Sequence, residues 1–326
     1  MKRGDPLTVG RAHPAEKRAE VASALSKGLK GAVVAPILVL LVALSTLSWA
    51  SLARASGYAN SRMLVDTEWV AAHSGDEGVR LLDARPLSDY MQSHIPQAVH
   101  FDVGELMVER DSVRGMLPEP EALNALFGAH GFSPKTTVVI YDGRGGLLAS
   151  RLWFALDYMG HEDVRLLNGG WQAWSSAGGP VTRAAPRLQS LAYEGRPDPS
   201  KVADAEWLAA HLKDGSVVPV DARTLGEYTG QDVRASRGGH VPGAVHLNWS
   251  ETLSGTDMRF KSADELEGMF RQAGVTRDKT AVPYCQTHVR GAQVSFVLRL
   301  LGYEKVRGYD GSWSEWGNRP DLPVER

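Results

Sequence analysis

An α/β architecture is predicted for this chain of 326 residues: two tandem copies of one domain, each a mainly parallel sheet with helices on both faces, behind an N-terminal signal or transmembrane segment. Three observations predict it. A long uncharged apolar stretch stands near the N-terminus, and a series of motifs occurs twice in the remainder. Within each copy, short β-branched runs alternate with helical windows, the pattern of a parallel sheet covered on both sides.

The first element is the leader, residues 1–55. Lys2, Arg3, Arg11, Lys17, Arg18, Lys27 and Lys30 precede Gly31 to Ala53, which carries no charge. A positive flank, an apolar centre and an Ala53-Arg54-Ala55 cleavage pattern make a secretory signal the first expectation. The stretch is also nearly long enough to remain as a membrane anchor, with a buried core helix as the bland alternative. Either targeting reading puts the body in the periplasm or cell envelope, with membrane contact only through this segment.

The repeat follows. Asp66-Thr67-Glu68-Trp69-Val70-Ala71-Ala72-His73 matches Asp204-Ala205-Glu206-Trp207-Leu208-Ala209-Ala210-His211, and each leads to Asp-Ala-Arg, at Asp83 and Asp221. His94-Ile95-Pro96 then faces His240-Val241-Pro242, and Val138-Val139-Ile140-Tyr141 faces Ala281-Val282-Pro283-Tyr284. Each copy closes on a pair of tryptophans, Trp171/Trp174 and Trp313/Trp316, best explained by packing. Units this long are whole domains. The expected boundaries are 62–178 for the first copy, 179–199 for a Pro-, Arg- and Gly-rich linker, and 200–326 for the second. Leu81 to Asp83 and Val138 to Tyr141 read as strands, Ala149 to Met159 and Ala292 to Leu301 as helices.

Composition narrows the function. The formal net charge of −2 gives no reason to expect nucleic acid as a partner. A single cysteine excludes an intramolecular disulfide and a cysteine-only metal site. No clustered zinc ligands and no P-loop lysine are found, so no cofactor is expected. Cys285 is therefore either a small buried hydrophobe or a reactive thiol. Its position decides for the thiol: it follows a strand and precedes a helix, where ligands bind in open parallel sheets. A short loop wrapping back on it would aim backbone N–H groups and a positive helix end at the sulfur, stabilising a thiolate or an oxyanion.

From about Met63 to Arg326, the chain resembles the rhodanese family of sulfurtransferases. The resemblance is carried by Asp221-Ala222-Arg223, by Gly239-His240-Val241-Pro242-Gly243-Ala244-Val245, by Tyr284 to Arg290, and by Tyr309-Asp310-Gly311-Ser312-Trp313-Ser314-Glu315-Trp316. It implies a ping-pong reaction in which Cys285 takes the outer sulfur of thiosulfate as a persulfide and passes it to cyanide or another thiophilic acceptor. It also implies that Gln286, Thr287, His288, Val289 and Arg290 line the substrate. Arg290 is expected to meet the doubly charged donor, or else to clasp a carboxylate such as Asp221. His288 either assists anion binding when protonated or caps the loop. Asp221, Arg223 and His240 are expected to support the site, with Arg223, Arg237 and His240 as possible anion contacts. Glu227 stands where mercaptopyruvate-type members carry a substrate-binding arginine, which argues against a carboxylate substrate. A monomer is expected.

Asp142 stands in the first copy where Cys285 stands in the second, so that copy is expected to be catalytically silent. Two rivals remain. Cysteine phosphatases use Cys-x5-Arg, whereas Cys285 to Arg290 is Cys-x4-Arg, a smaller ring better suited to a sulfane sulfur. A persulfide carrier that hands sulfur to a protein partner would use the same cysteine.

Overall fold

The computed structural model describes residues 57–326. The apolar stretch at Gly31 to Ala53 lies outside them, and among the described residues no helix is long and apolar enough to cross a membrane.

The first copy runs β1 (Leu64–Val65), α1 (Thr67–His73), β2 (Val79–Asp83), α2 (Leu87–Gln92), β3 (Val99–His100), the hairpin β4 (Val108–Arg110) and β5 (Val113–Met116), α3 (Pro120–Ala129), β6 (Thr137–Tyr141), α4 (Leu147–Tyr158), β7 (Val164–Leu167) and α5 (Gly170–Ser176). The second repeats it as β8 (Val202–Ala203), α6 (Ala205–His211), β9 (Val217–Asp221), α7 (Leu225–Tyr228), β10 (Val245–His246), the hairpin β11 (Leu253–Ser254) and β12 (Arg259–Phe260), α8 (Ala263–Gln272), β13 (Thr280–Tyr284), α9 (Val289–Leu300), β14 (Gly308–Tyr309) and α10 (Ser312–Trp316). The repeated aspartates act alike. Asp66 accepts from the Trp69 N–H at 2.8 Å and Asp204 from the Trp207 N–H at 2.7 Å, capping α1 and α6.

In the first copy five parallel strands stand in the order β1-β7-β6-β2-β3. The central pair registers Val79 on Thr137 through Asp83 on Tyr141. In the second, β9 and β13 register Val217 on Thr280 through Asp221 on Tyr284, the same alignment. There the sheet separates into β10-β9-β13 and β14-β8. Proline supplies the reason. Ala281 donates to Lys305 and accepts from Arg307, and the next donor toward that neighbour would be residue 283, a proline without an N–H. The linker is likewise more than a tether. Leu191 donates to the Gly128 carbonyl at 2.9 Å, and Tyr193 is buried edge-on against Phe127 and Phe132.

The two copies share a core. Helices α4 and α9 are buried around most of their surface and pack on each other, which is what helices apolar on all sides do. Trp153 meets Phe296 edge-to-face with ring centroids 5.2 Å apart. Truncating a ring such as Phe296 there costs about 3–5 kcal/mol. The hairpins cross over reciprocally. Gly115 in β5 abuts Thr287 of the Cys285 loop, and Leu253 in β11 abuts Gly145 of the Asp142 loop. A Cβ at Gly115 would stand 2.5 Å from that of Thr287, so only glycine permits this approach.

Candidate active site

Cys285 begins the turn from β13 into α9, and the chain enters the helix through His288, whose φ of 54° lies in the left-handed region. The thiol is 1% exposed. The first turn of α10 holds the outer side of this loop. The Cys285 N–H donates to Ser312 Oγ at 3.2 Å, and the carbonyls of Cys285 and Gln286 accept from Trp313 and Ser314, both at 2.9 Å. With its carbonyls held there, the loop keeps its donors uncommitted. Among the described residues, no protein acceptor takes the N–H groups of Gln286 to Arg290.

The first copy shows what such a turn does with an anion. Its Asp142 carboxylate accepts from Arg144 (2.8 Å), Gly146 (3.0 Å), Leu148 (2.7 Å) and Ala149 (3.1 Å). A tethered carboxylate thus fills the first cradle, while the second presents a thiol. The first turn is also one residue longer, since α4 starts five residues after Asp142 and α9 four after Cys285.

Charge around the thiol is organised by a pair that the sequence comparison left apart. Arg290 stands in the first turn of α9, within electrostatic reach of the Cys285 thiol, which favours the charged form of the guanidinium. Its two terminal nitrogens donate to the two oxygens of Glu227, at 2.6 and 2.8 Å. Glu227 is fully buried at the third position of a capping box with Thr224, whose N–H and hydroxyl also donate to it. Burial works against the charged form, but Arg290 and Thr224 outweigh it and hold the Glu227 carboxyl down at about 2. The expected clasp of Arg290 is therefore real, with Glu227 rather than Asp221 as partner. Glu227 is neutralised by Arg290 instead of facing a substrate as a bare charge.

Asp221, Arg223 and His240 form the frame below. Asp221 binds the Arg223 guanidinium at 2.6–3.0 Å and accepts from Tyr284 Oη at 2.7 Å. Arg223 also donates to the Gly239 carbonyl and lies over Trp313. His240 stacks on Tyr228 with centroids 3.7 Å apart. The first copy repeats each part: Asp83 with Arg85 and Tyr141, Arg85 over Trp171, and His94 stacked on Tyr90. A frame shared by both copies fixes the turn, so Arg223 and His240 are not anion contacts. Arg237 is not one either, because its guanidinium hydrogen-bonds the carbonyls of Trp316, Arg319 and Leu322.

His288 points away from the loop. It is buried against Phe154 of α4, 4.4 Å between centroids, and neither ring nitrogen has a hydrogen-bond partner. Burial first, then the nearby Arg151 cation, lower its pKa to about 3. Protonated His288 therefore cannot be an anion ligand at neutral pH. Beside it, Arg151 of α4 binds Asp310 at 2.6 Å and donates to the Leu106 and Gly115 carbonyls. Asp310 in turn accepts from the Leu117 N–H at 2.7 Å. Neither this latch nor the role of Ser312 is legible in the sequence, although Asp310 and Ser312 stand in the Tyr309 to Trp316 motif. No three His, Cys, Asp or Glu side chains converge to hold a metal among the described residues.

A family model described as "Rhodanese-like domain" matches residues 66–177 and 204–319. Among curated proteins, a thiosulfate sulfurtransferase of Azotobacter vinelandii is 35% identical over 247 residues, covering 75% of this chain and 90% of that one. The sulfur carrier protein TtuD of Thermus thermophilus is 36% identical, covering 83% and 99%. A 3-mercaptopyruvate sulfurtransferase of Escherichia coli is 31% identical, covering 80% and 97%. Among solved structures, an anaerobic ergothioneine biosynthesis enzyme of Chlorobium limicola superposes with a TM-score of 0.75 at 27% identity, covering 82% of this chain and 71% of that one.

Proposed function

Because the chain belongs to the rhodanese-like family, with its domain present twice, we propose that it is a thiosulfate sulfurtransferase acting through a persulfide on Cys285. The Cys285 thiolate attacks the outer sulfur of thiosulfate. The sulfur–sulfur bond of the donor breaks, sulfite leaves with the bonding pair, and Cys285 carries the sulfur as a persulfide anion. A thiophilic acceptor such as cyanide then attacks that outer sulfur, leaves as thiocyanate and restores the thiolate. The observation that carries this reading is the pair of loops. One cradle holds four N–H bonds to the Asp142 carboxylate, and its counterpart offers N–H groups without a protein acceptor around Cys285. Gln286 to Arg290 would give those donors to the persulfide anion, and Arg290, held by Glu227, would add a fixed positive charge beside the sulfur.

Residues 200–326 form the catalytic domain in this proposal, 62–178 the silent one and 179–199 the linker. The leader delivers or anchors the body in the cell envelope, and cell fractionation tests that assignment. A carrier role is the second reading, favoured by the match to a sulfur carrier protein over 99% of that relative. Steady-state thiocyanate formation from thiosulfate and cyanide, with 3-mercaptopyruvate as competing donor, tests the proposal. Turnover that Cys285→Ser abolishes is expected. Sulfur uptake by Cys285 without small-molecule turnover would instead favour the carrier, and turnover with mercaptopyruvate alone would reassign the donor.

A further inference from the structure

We infer that Arg234 is the cation through which the Cys285 site meets an anionic sulfur donor, an assignment that rests on the proposed function only for the identity of that donor. A dianion approaching a thiolate from outside needs an exposed cation whose hold on its own partner can be exchanged. Most other cations around the loop are anchored inside the protein; Arg114 on β5 is exposed, with Glu109 as its partner at 3.4 Å. Arg290 has both terminal nitrogens on Glu227, and Arg223 is held by Asp221 and the Gly239 carbonyl. Arg237 serves carbonyls of the C-terminal segment, and Arg151 serves Asp310 and two carbonyls of the first copy. His288 is buried without a charge.

Arg234 differs. It is 51% exposed, and its Nε and Nη2 both donate to one oxygen of Asp232, at 2.9 and 2.6 Å. That leaves Nη1, which lies 3.6 Å from Glu227 Oε1, beyond hydrogen-bonding distance. The Arg234 carbonyl accepts from the Gln286 side chain at 3.3 Å, which ties it to the residue after the cysteine. Arg290 and Arg234 flank the Glu227 carboxylate, Arg290 with two hydrogen bonds and Arg234 at 3.6 Å. Arg290 offsets Glu227, and Asp232 offsets Arg234 until an anion takes its place. The pairing of Arg234 with Asp232 is an exposed ion pair, weak enough to be exchanged for a ligand.

The single cysteine allows a test independent of turnover. The rate of alkylation of Cys285 by anionic iodoacetate, divided by its rate with neutral iodoacetamide, reports the local potential. Arg234→Gln should lower this ratio roughly three- to tenfold at low salt, the effect of removing one nearby charge in a partly wet site. Arg271→Gln, an exposed cation on α8, should leave it unchanged. In the thiosulfate assay Arg234→Gln should raise KM by a similar factor with kcat within about twofold, the signature of lost ground-state binding. An alkylation ratio unchanged in Arg234→Gln overturns the assignment. Failure of the wild-type protein to turn over thiosulfate would sink the proposed function, while the alkylation ratio would still decide the role of Arg234.

Discussion

Replacing Arg151 by methionine removes a buried cation that ties the first copy to the second. Arg151 is fully buried and makes a 2.6 Å ion pair with Asp310, with further bonds to the carbonyls of Leu106 and Gly115. Methionine keeps most of the stem's packing but leaves the Asp310 carboxylate buried with the Leu117 N–H, and strips two carbonyls of their donor. Breaking a buried pair from one side costs about 3–5 kcal/mol, because a charge stays behind without compensation. At about 2–4 °C per kcal/mol for a chain of this size, the melting temperature should fall by roughly 10 °C. Since the core runs through both copies, a single calorimetric transition is expected to move as one. The Gly115 carbonyl belongs to the strand that abuts Thr287, so kcat should fall as well. The double variant Arg151→Met/Asp310→Leu removes both charges and should recover much of the lost stability. A loss under about 1 kcal/mol for Arg151→Met, or a double variant no better than the single, would refute the reasoning.

Two further perturbations probe the loops. Asp142→Ala removes the carboxylate that accepts four N–H groups in the first cradle and should cost about 2–4 kcal/mol. Sulfate should restore part of its melting temperature saturably, at concentrations that leave the wild type unchanged, as read by thermal shift. His288 governs acid stability. Its folded pKa is depressed from 6.5 to about 3, so the unfolded chain binds the extra proton in between. That stability is complete above pH 6.5 and declines by about 1.4 kcal/mol per pH unit as the pH falls toward 3. His161, also lowered by burial, contributes in the same window. Urea midpoints between pH 7 and 5 should therefore depend less steeply on pH in His288→Asn, by about 0.7 proton on average; an unaltered slope would exclude His288.

What the sequence determined by itself is what lies close along the chain. The aspartate caps, the Asp-Ala-Arg clasps whose partners stand two residues apart, and the placement of Cys285 between β13 and α9 are local matters of side-chain reach and strand-to-helix geometry. Repetition added the fold class, because two copies of one alternating pattern build two copies of one sheet. It also supplied an internal comparison: residues shared by both copies, such as Arg223 and His240, hold the frame, while Cys285 has an aspartate, Asp142, as its counterpart. Tertiary structure alone decided the partners. Glu227 and Arg290 are 63 residues apart, and Arg151 and Asp310 are 159 apart. Which carboxylate meets which guanidinium depends on where α7, α9 and the two halves come together. The same holds for His288, which composition presents as a polar loop residue and packing turns against Phe154. Local patterns follow from bonds that the backbone enforces within a few residues. Charge pairing and burial across the molecule follow from packing, which no short stretch of sequence contains.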